Sequence, residues 1–242
     1  MERRNAWKTY TQEQLKELDQ INDRYKVCLD EGKTERECIR LTVKEIEKQG
    51  YRNLNDIKGS LKTGDKVYAV CMGKSIAIFR IGKEPLENGM NILGAHIDSP
   101  RIDVKQNPLY ESEGFTLADT HYYGGIKKYQ WVTIPLSLYG VVCKKDGTVV
   151  DVVIGEDEND PVVGISDLLI HLSADQLDKK AAKVIEGENL DVTLGNMPLF
   201  GEEKDAVKAN VLKLLKEKYD IEEEDFVSAE IEVVPSGKAR DY

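Results

Sequence analysis

Histidine is scarce in this 242-residue chain, with three in all, and cysteine is nearly as rare at four. The cysteines, Cys28, Cys38, Cys71 and Cys143, form no Cys-x-x-Cys pair, which excludes a zinc-ribbon spacing and a dense disulfide framework. Each is flanked by apolar residues, as in Val70-Cys71-Met72, so buried, reduced and inert thiols are expected. No apolar run approaches the roughly 18 residues of a membrane span. The charged opening Met1-Glu2-Arg3-Arg4 is not followed by the apolar stretch of a secretory signal. Basic residues are in deficit, 34 Lys and Arg against 44 Asp and Glu, for a net charge of −10. That balance argues against a nucleic-acid partner, because phosphate-binding surfaces carry an excess of Lys and Arg. Gly124-Gly125 lacks the flanking residues of a phosphate-binding loop, and no Gly-x-Ser-x-Gly elbow is present. The reading is a soluble, cytoplasmic protein of one large or two small domains, without membrane or nucleic-acid partners.

The chain itself opens with helices. Leu15, Leu18, Ile21, Tyr25 and Cys28 recur at steps of three and four behind a Thr11/Gln14 capping box, which predicts a helix over 11–30. Thr34 with Glu37 repeats the signature, and Ile39, Val43 and Ile46 mark one face of a second helix ending at Gly50. Short β-type runs follow, 67–71 and 75–81, as a hairpin, and 90–97 as an apolar strand. Residues 105–130 are polar, turn-rich and aromatic, the composition of a long functional loop. Strands are expected at 132–143 and 148–154 around Asp146-Gly147, helices near 166–172 and 203–218, and a strand with one wet face near 227–233. The polar residues 235–242 read as a frayed end or a cut.

Chemistry concentrates at Gly94-Ala95-His96-Ile97-Asp98-Ser99-Pro100. On a strand, His96 and Asp98 at i and i+2 leave the same face. A metal-bound imidazole needs its second nitrogen held by an acceptor, and a neighbouring carboxylate does this. The spacing by itself is weak, since with this acid content at least one of three histidines has an acid at i+2 in roughly 45% of such sequences. The strand context and Pro100 strengthen it. His171, in Asp167-Leu168-Leu169-Ile170-His171-Leu172, reads on pattern alone as a satisfied or half-exposed helix histidine. His121 lies in the aromatic loop, within reach of a substrate. The run 222–225 is most simply a solvated turn.

The segment Gly94-Ala95-His96-Ile97-Asp98-Ser99-Pro100-Arg101 resembles the first metal-ligand motif of the aspartyl aminopeptidase and aminopeptidase I family. Asn5-Ala6-Trp7 and the two helices, Tyr122-Tyr123-Gly124-Gly125-Ile126 with Trp131, Leu169-Ile170-His171-Leu172, and Ala229-Glu230-Ile231 through Arg240-Asp241 resemble it in order, so the likeness spans the chain. It implies an α/β fold: part of a three-layer α/β metallopeptidase catalytic domain interrupted by a β-rich lid and dimerisation domain. The implied division is 1–103 for the first catalytic piece, 104–226 for the insertion and 227–242 for a return strand. The resemblance also implies that His96 binds one of two divalent metal ions, zinc foremost with cobalt or manganese as alternatives, and that Asp98 orients it. His171 is implied to reach the active site of a neighbouring subunit, which reverses its pattern-based reading; His121 has no clear counterpart. The implied activity is metal-dependent removal of N-terminal residues from a peptide substrate by a metal-activated water, in a homo-oligomer built from dimers, typically a dodecamer. The family's bridging aspartate, glutamate general base and remaining ligands lie beyond the point where this sequence stops, so the 242 residues alone are expected to be inactive. Two other readings stay open: a dimerisation and lid module without catalysis, and a related two-metal deacylase or carboxypeptidase.

Overall fold

The computed structural model describes residues 3–242. Two units emerge, one running to Asp98 and regaining Lys238–Tyr242, the other Ser99–Gly237.

In the first unit, helix α1 (Gln12–Glu31) starts on the expected capping box: the Thr11 hydroxyl accepts from the Gln14 backbone N–H at 3.3 Å, and the Gln14 side-chain Oε1 accepts from the Thr11 N–H at 2.9 Å. Helix α2 (Glu35–Lys48) departs from its expected cap, because the Thr34 hydroxyl donates to the Glu37 carboxylate and leaves the backbone uncapped. Its Ile39 is buried. Strand β1 (Arg52–Asn53) pairs parallel with β2 (Lys66–Cys71), and β2 pairs antiparallel with β3 (Ser75–Arg80) across Met72-Gly73, both at positive φ. This is the expected hairpin. The closing residues are not frayed: Ala239 N–H donates to Asp30 at 2.5 Å, and Asp241 meets Asn22 at 2.8 Å and Lys26 at 3.0 Å, all on α1.

Two expectations fail in this unit. The run 90–97 forms no strand, and Met90, Ile92 and Leu93 are exposed. Apolar β-type sequence becomes a strand only when a ladder partner lies beside it, and among the described residues none does. Cys28 and Cys71 are exposed rather than buried, as is Cys143 in the second unit. They sit on a helix's outer face and at strand ends, where flanking apolar residues do not enclose them. Only Cys38 is partly covered, and desolvation pushes its thiol pKa up.

The second unit is built on a six-stranded antiparallel sheet. Strands β4 (Arg101–Ser112) and β5 (Phe115–Tyr123) form a long hairpin turning at Glu113-Gly114, both at positive φ. The expectation of a loop over 105–130 is thereby corrected. Pro108 cannot donate to a ladder, and the chain accommodates it at a register shift between Val104 and Leu109. Strands β6 (Leu136–Cys143) and β7 (Val149–Ile154) form the expected Asp146-Gly147 hairpin. Strand β8 (Val192–Gly195) adds to β5, and β9 (Ala229–Pro235) lies between β6 and β4, giving the order β7-β6-β9-β4-β5-β8. The helix expected near 166–172 reduces to a single tight turn at Ile170–Leu172 and the short α3 (Ala174–Leu177). The expected helix near 203–218 is α4 (Ala206–Tyr219). One sheet face supplies the core, with Ile102, Leu136, Leu138, Val142, Ile231 and Val233 among its buried side chains, and α4 adds Leu212 and Leu215. The mixed α/β architecture with a β-rich second unit is the expected fold class. The strand expected near 227–233 is β9, paired with both β6 and β4, and this unit ends at Gly237.

Gly140 sits opposite Ile231, where a Cβ would stand 2.0 Å from the Glu230 carbonyl oxygen. No side chain can give way there, because the obstacle is backbone. Gly140→Ala is expected to destabilise the second unit by about 3 kcal/mol, the upper range for overpacking, read as a lowered urea midpoint at unchanged slope. A second check concerns α4. Lys144 and Lys216 hydrogen-bond the Asp220 carboxylate and hold its pKa at about 2, below the ordinary 3.8. A lowered carboxylate pKa contributes stability that is present above pH 4 and lost as pH falls toward 2. Asp220→Asn is therefore expected to flatten the loss of stability between about pH 4 and pH 2 in acid melts followed by circular dichroism.

Candidate metal and substrate site

His96 and Asp98 lie in an irregular extended segment. The His96 Nδ1 is 3.0 Å from the Asp98 carbonyl oxygen and 3.2 Å from its Oδ1, while 86% of the His96 side chain is exposed. With Nδ1–H donated to these oxygens, Nε2 carries the lone pair and faces outward, the tautomer a metal ligand requires. Imidazole nitrogen suits zinc and other borderline divalent ions. The fit is partial in number: a catalytic zinc takes three protein ligands, and among the described residues no group of three or more His, Cys, Asp or Glu side chains stands where it could hold an ion.

The next residues open β4 in the second unit and join the two most distinctive sequence motifs. Pro100 packs against Gly124, whose added Cβ would lie 3.5 Å from Pro100 Cβ, and Arg101 pairs across the ladder with Tyr123. The Arg101 guanidinium stacks 4.2 Å from the centre of the Tyr123 ring. Its Nε lies 2.8 Å from Asp103 Oδ1 and 3.2 Å from Glu232 Oε2. Glu232 was expected on a wet strand face, yet it is only 2% exposed. Alternation alone cannot distinguish a carboxylate facing water from one facing a buried guanidinium. This cluster was missed from sequence, although Arg101 directly after Ser99-Pro100 was a signal for it.

His121 stands on β5 opposite Asp103 and, with Lys105 and Glu230, lines an open polar cavity of about 530 Å³. His171 is exposed in its tight turn, with Leu168, Leu169, Ile170, Leu172 and Leu177 exposed beside it. The exposed apolar side chains here are contiguous in sequence over 168–170 and continue at Leu172. Asp167 pins the turn, accepting from the Leu168 N–H and the Gln176 amide at 2.8 Å each.

Residues 28–242 match the family model of the aminopeptidase I zinc metalloproteases, M18. The chain belongs to the M18 family. A probable M18 family aminopeptidase 1 of Clostridium acetobutylicum is 61% identical over all of this chain and 53% of its own length. The crystal structure of an M18 aminopeptidase from Thermotoga maritima superposes with a TM-score of 0.89 at 47% identity, covering 97% of this chain and 51% of that one. A yeast mApe1 dodecamer shares the fold at 18% identity, with a TM-score of 0.64 over 90% of this chain and 48% of that one. The chain thus spans about half the length of the M18 relatives it matches. No helix among the described residues is long and apolar enough to cross a membrane.

Arg101 is the residue on which the M18 motif junction turns. Arg101→Leu is expected to cost on the order of 3 kcal/mol, the scale for breaking a buried ion pair by removing one partner. Arg101→Leu combined with Glu232→Leu should recover much of that loss in thermal unfolding.

Proposed function

We propose that this chain supplies part of a metal-dependent aminopeptidase that removes N-terminal residues from peptides. Its most important contribution is His96, one ligand of a zinc centre, oriented by Asp98. The observation that carries this reading is the engagement of Nδ1 by Asp98, which leaves Nε2 of an exposed imidazole outward. When bound, the metal supplies activation of a water and polarisation of the scissile carbonyl. The part of the chain itself is narrower: Asp98 fixes the tautomer and ring angle of His96 and raises its basicity as a ligand. Two metal ions and their remaining ligands belong to the proposal, since His96 is a single donor.

His171, displayed among exposed leucines and Ile170, is proposed to enter the site of a neighbouring subunit and stabilise the oxyanion that develops on the scissile carbonyl. The apolar surround supports this, because it provides the contact area through which a second copy would hold that turn. A homo-oligomer built from dimers, with the yeast dodecamer as a precedent of the same fold, belongs to the same reading. We further propose residues 1–103 as the first catalytic piece, 104–226 as an inserted lid and dimerisation domain, and a location in the cytoplasm, in keeping with four free cysteines. The M18 match gives no support to the deacylase or carboxypeptidase reading. A dimerisation and lid module without catalysis describes what these residues do if the intact protein, supplied with zinc or cobalt, leaves aspartyl and leucyl peptides uncut.

His96→Ala in the intact protein is expected to lower bound zinc by at least one equivalent per two ions and to abolish peptide cleavage; unchanged metal content would remove His96 from the ligand set. Asp98→Asn should weaken metal affinity by about 10- to 100-fold, the effect of losing a partner to a ligating histidine, measured by competition with a chelator. His171→Ala is expected to lower turnover by about 100-fold or more, as when an oxyanion donor is removed, with metal content and oligomer size unchanged on light scattering. A full turnover rate in that variant would leave His171 outside the chemistry.

A further inference from the structure

Between the sheet of the second unit and α4 lies a cavity of about 430 Å³. Its floor is apolar, with Val104, Ala118 and Ile231, and its roof is the middle of α4, with Val211 and Leu215. The cavity is a half-open cleft along the underside of α4, and the helix above it is held at both ends by polar contacts. At its start the Glu111 carboxylate accepts from the Val207 and Lys208 N–H groups at 2.9 and 3.0 Å. At its end Lys218 meets Asp160 at 2.8 Å, and the Tyr219 hydroxyl donates to the Val153 carbonyl at 2.5 Å. Between these fixed ends Leu212 and Leu215 pack against the sheet core and Val211 lies over Gly195 of β8, so the space is the part of the α4 underside that these side chains leave uncovered.

The polar groups at the rim point to the chemistry of an occupant. Asp160 is taken up by Lys218 and by the Gly155 N–H at 2.9 Å, and the Tyr219 hydroxyl is engaged with Val153. Asn159 is bonded to Asp157 and Glu217 is paired with Lys213. A charged ligand would have to break one of these pairs, whereas an uncharged apolar ligand meets carbon over the floor and the roof. Dry apolar cavities of smaller size bind aromatic hydrocarbons for this reason, and this volume falls in the range of small-molecule sites.

We propose that the space beneath α4 is a binding site for a neutral, apolar small molecule of about 12 to 20 non-hydrogen atoms, aromatic or branched, the size such a volume accepts. The site's lining includes none of His96, Asp98 and His171, and it stands whether or not the peptidase reading does. The test uses the neutral dye N-phenyl-1-naphthylamine on the intact protein, with near-ultraviolet circular dichroism recorded alongside to establish that the fold is native. Saturable, one-to-one fluorescence enhancement and a raised Tm are expected. Ala118→Phe fills the floor and Val211→Phe fills the roof; each is expected to weaken dye binding at least 10-fold with Tm held or raised, as filling a real void does. Absence of saturable binding to the native protein would overturn the site. So would unchanged affinity in either filled variant, or a large loss of Tm in both, which would mean that the space was already packed.

Discussion

The second unit depends on a single strand reaching the middle of a sheet from far along the chain. Strand β9 lies between β6 and β4, so each of the two sequence-local hairpins would otherwise present an open edge. Bringing residues 229–235 between hairpins that begin more than 90 residues earlier means closing a long loop, which is slow but thermodynamically modest. The close approach at Gly140 and the buried meeting of Glu232 with Arg101 both lie on this strand's two sides. One side excludes every side chain larger than hydrogen and the other places charge against charge, so a slip of β9 by one residue would violate both. Register here is set by two strong local constraints rather than by hydrophobic pattern.

That same registration connects fold to chemistry. Arg101 is joined through Ser99-Pro100 to the segment bearing His96 and Asp98, and across the ladder to the Tyr123-Gly124 motif. Pro100 against Gly124 and the Arg101 guanidinium over the Tyr123 ring fix the start of β4 on its partner strand.

How legible all this was in the sequence varied with how local the deciding interaction is. Helix α1 was readable because Thr11, Gln14 and the heptad-like apolar spacing act within a few residues. The hairpin at Asp146-Gly147 was readable because the turn residues dictate their own conformation. The strands β4 and β5 were not, since Pro108, Gly114 and the polar residues between them describe a loop unless the register shift that absorbs the proline is known. Met90–Ile97 erred in the opposite direction, being apolar enough for a strand with no ladder partner among the described residues. Of the candidate site, the His96 and Asp98 pairing was legible from their spacing, although it arises in an irregular segment. The tight turn presenting His171 and the burial of Glu232 were not, because exposure and burial are properties of the neighbours rather than of the residue.

The second unit enters through β4 and leaves through β9, and these are adjacent antiparallel strands paired at Ile102 with Val233 and Asp103 with Glu232. The strands by which the unit begins and ends therefore lie side by side. A module with neighbouring ends can be spliced into a surface turn of a host without stretching it, in the way that domain insertion succeeds at exposed loops. The 139 residues from Ser99 to Gly237 thus begin and finish on neighbouring strands of their own sheet.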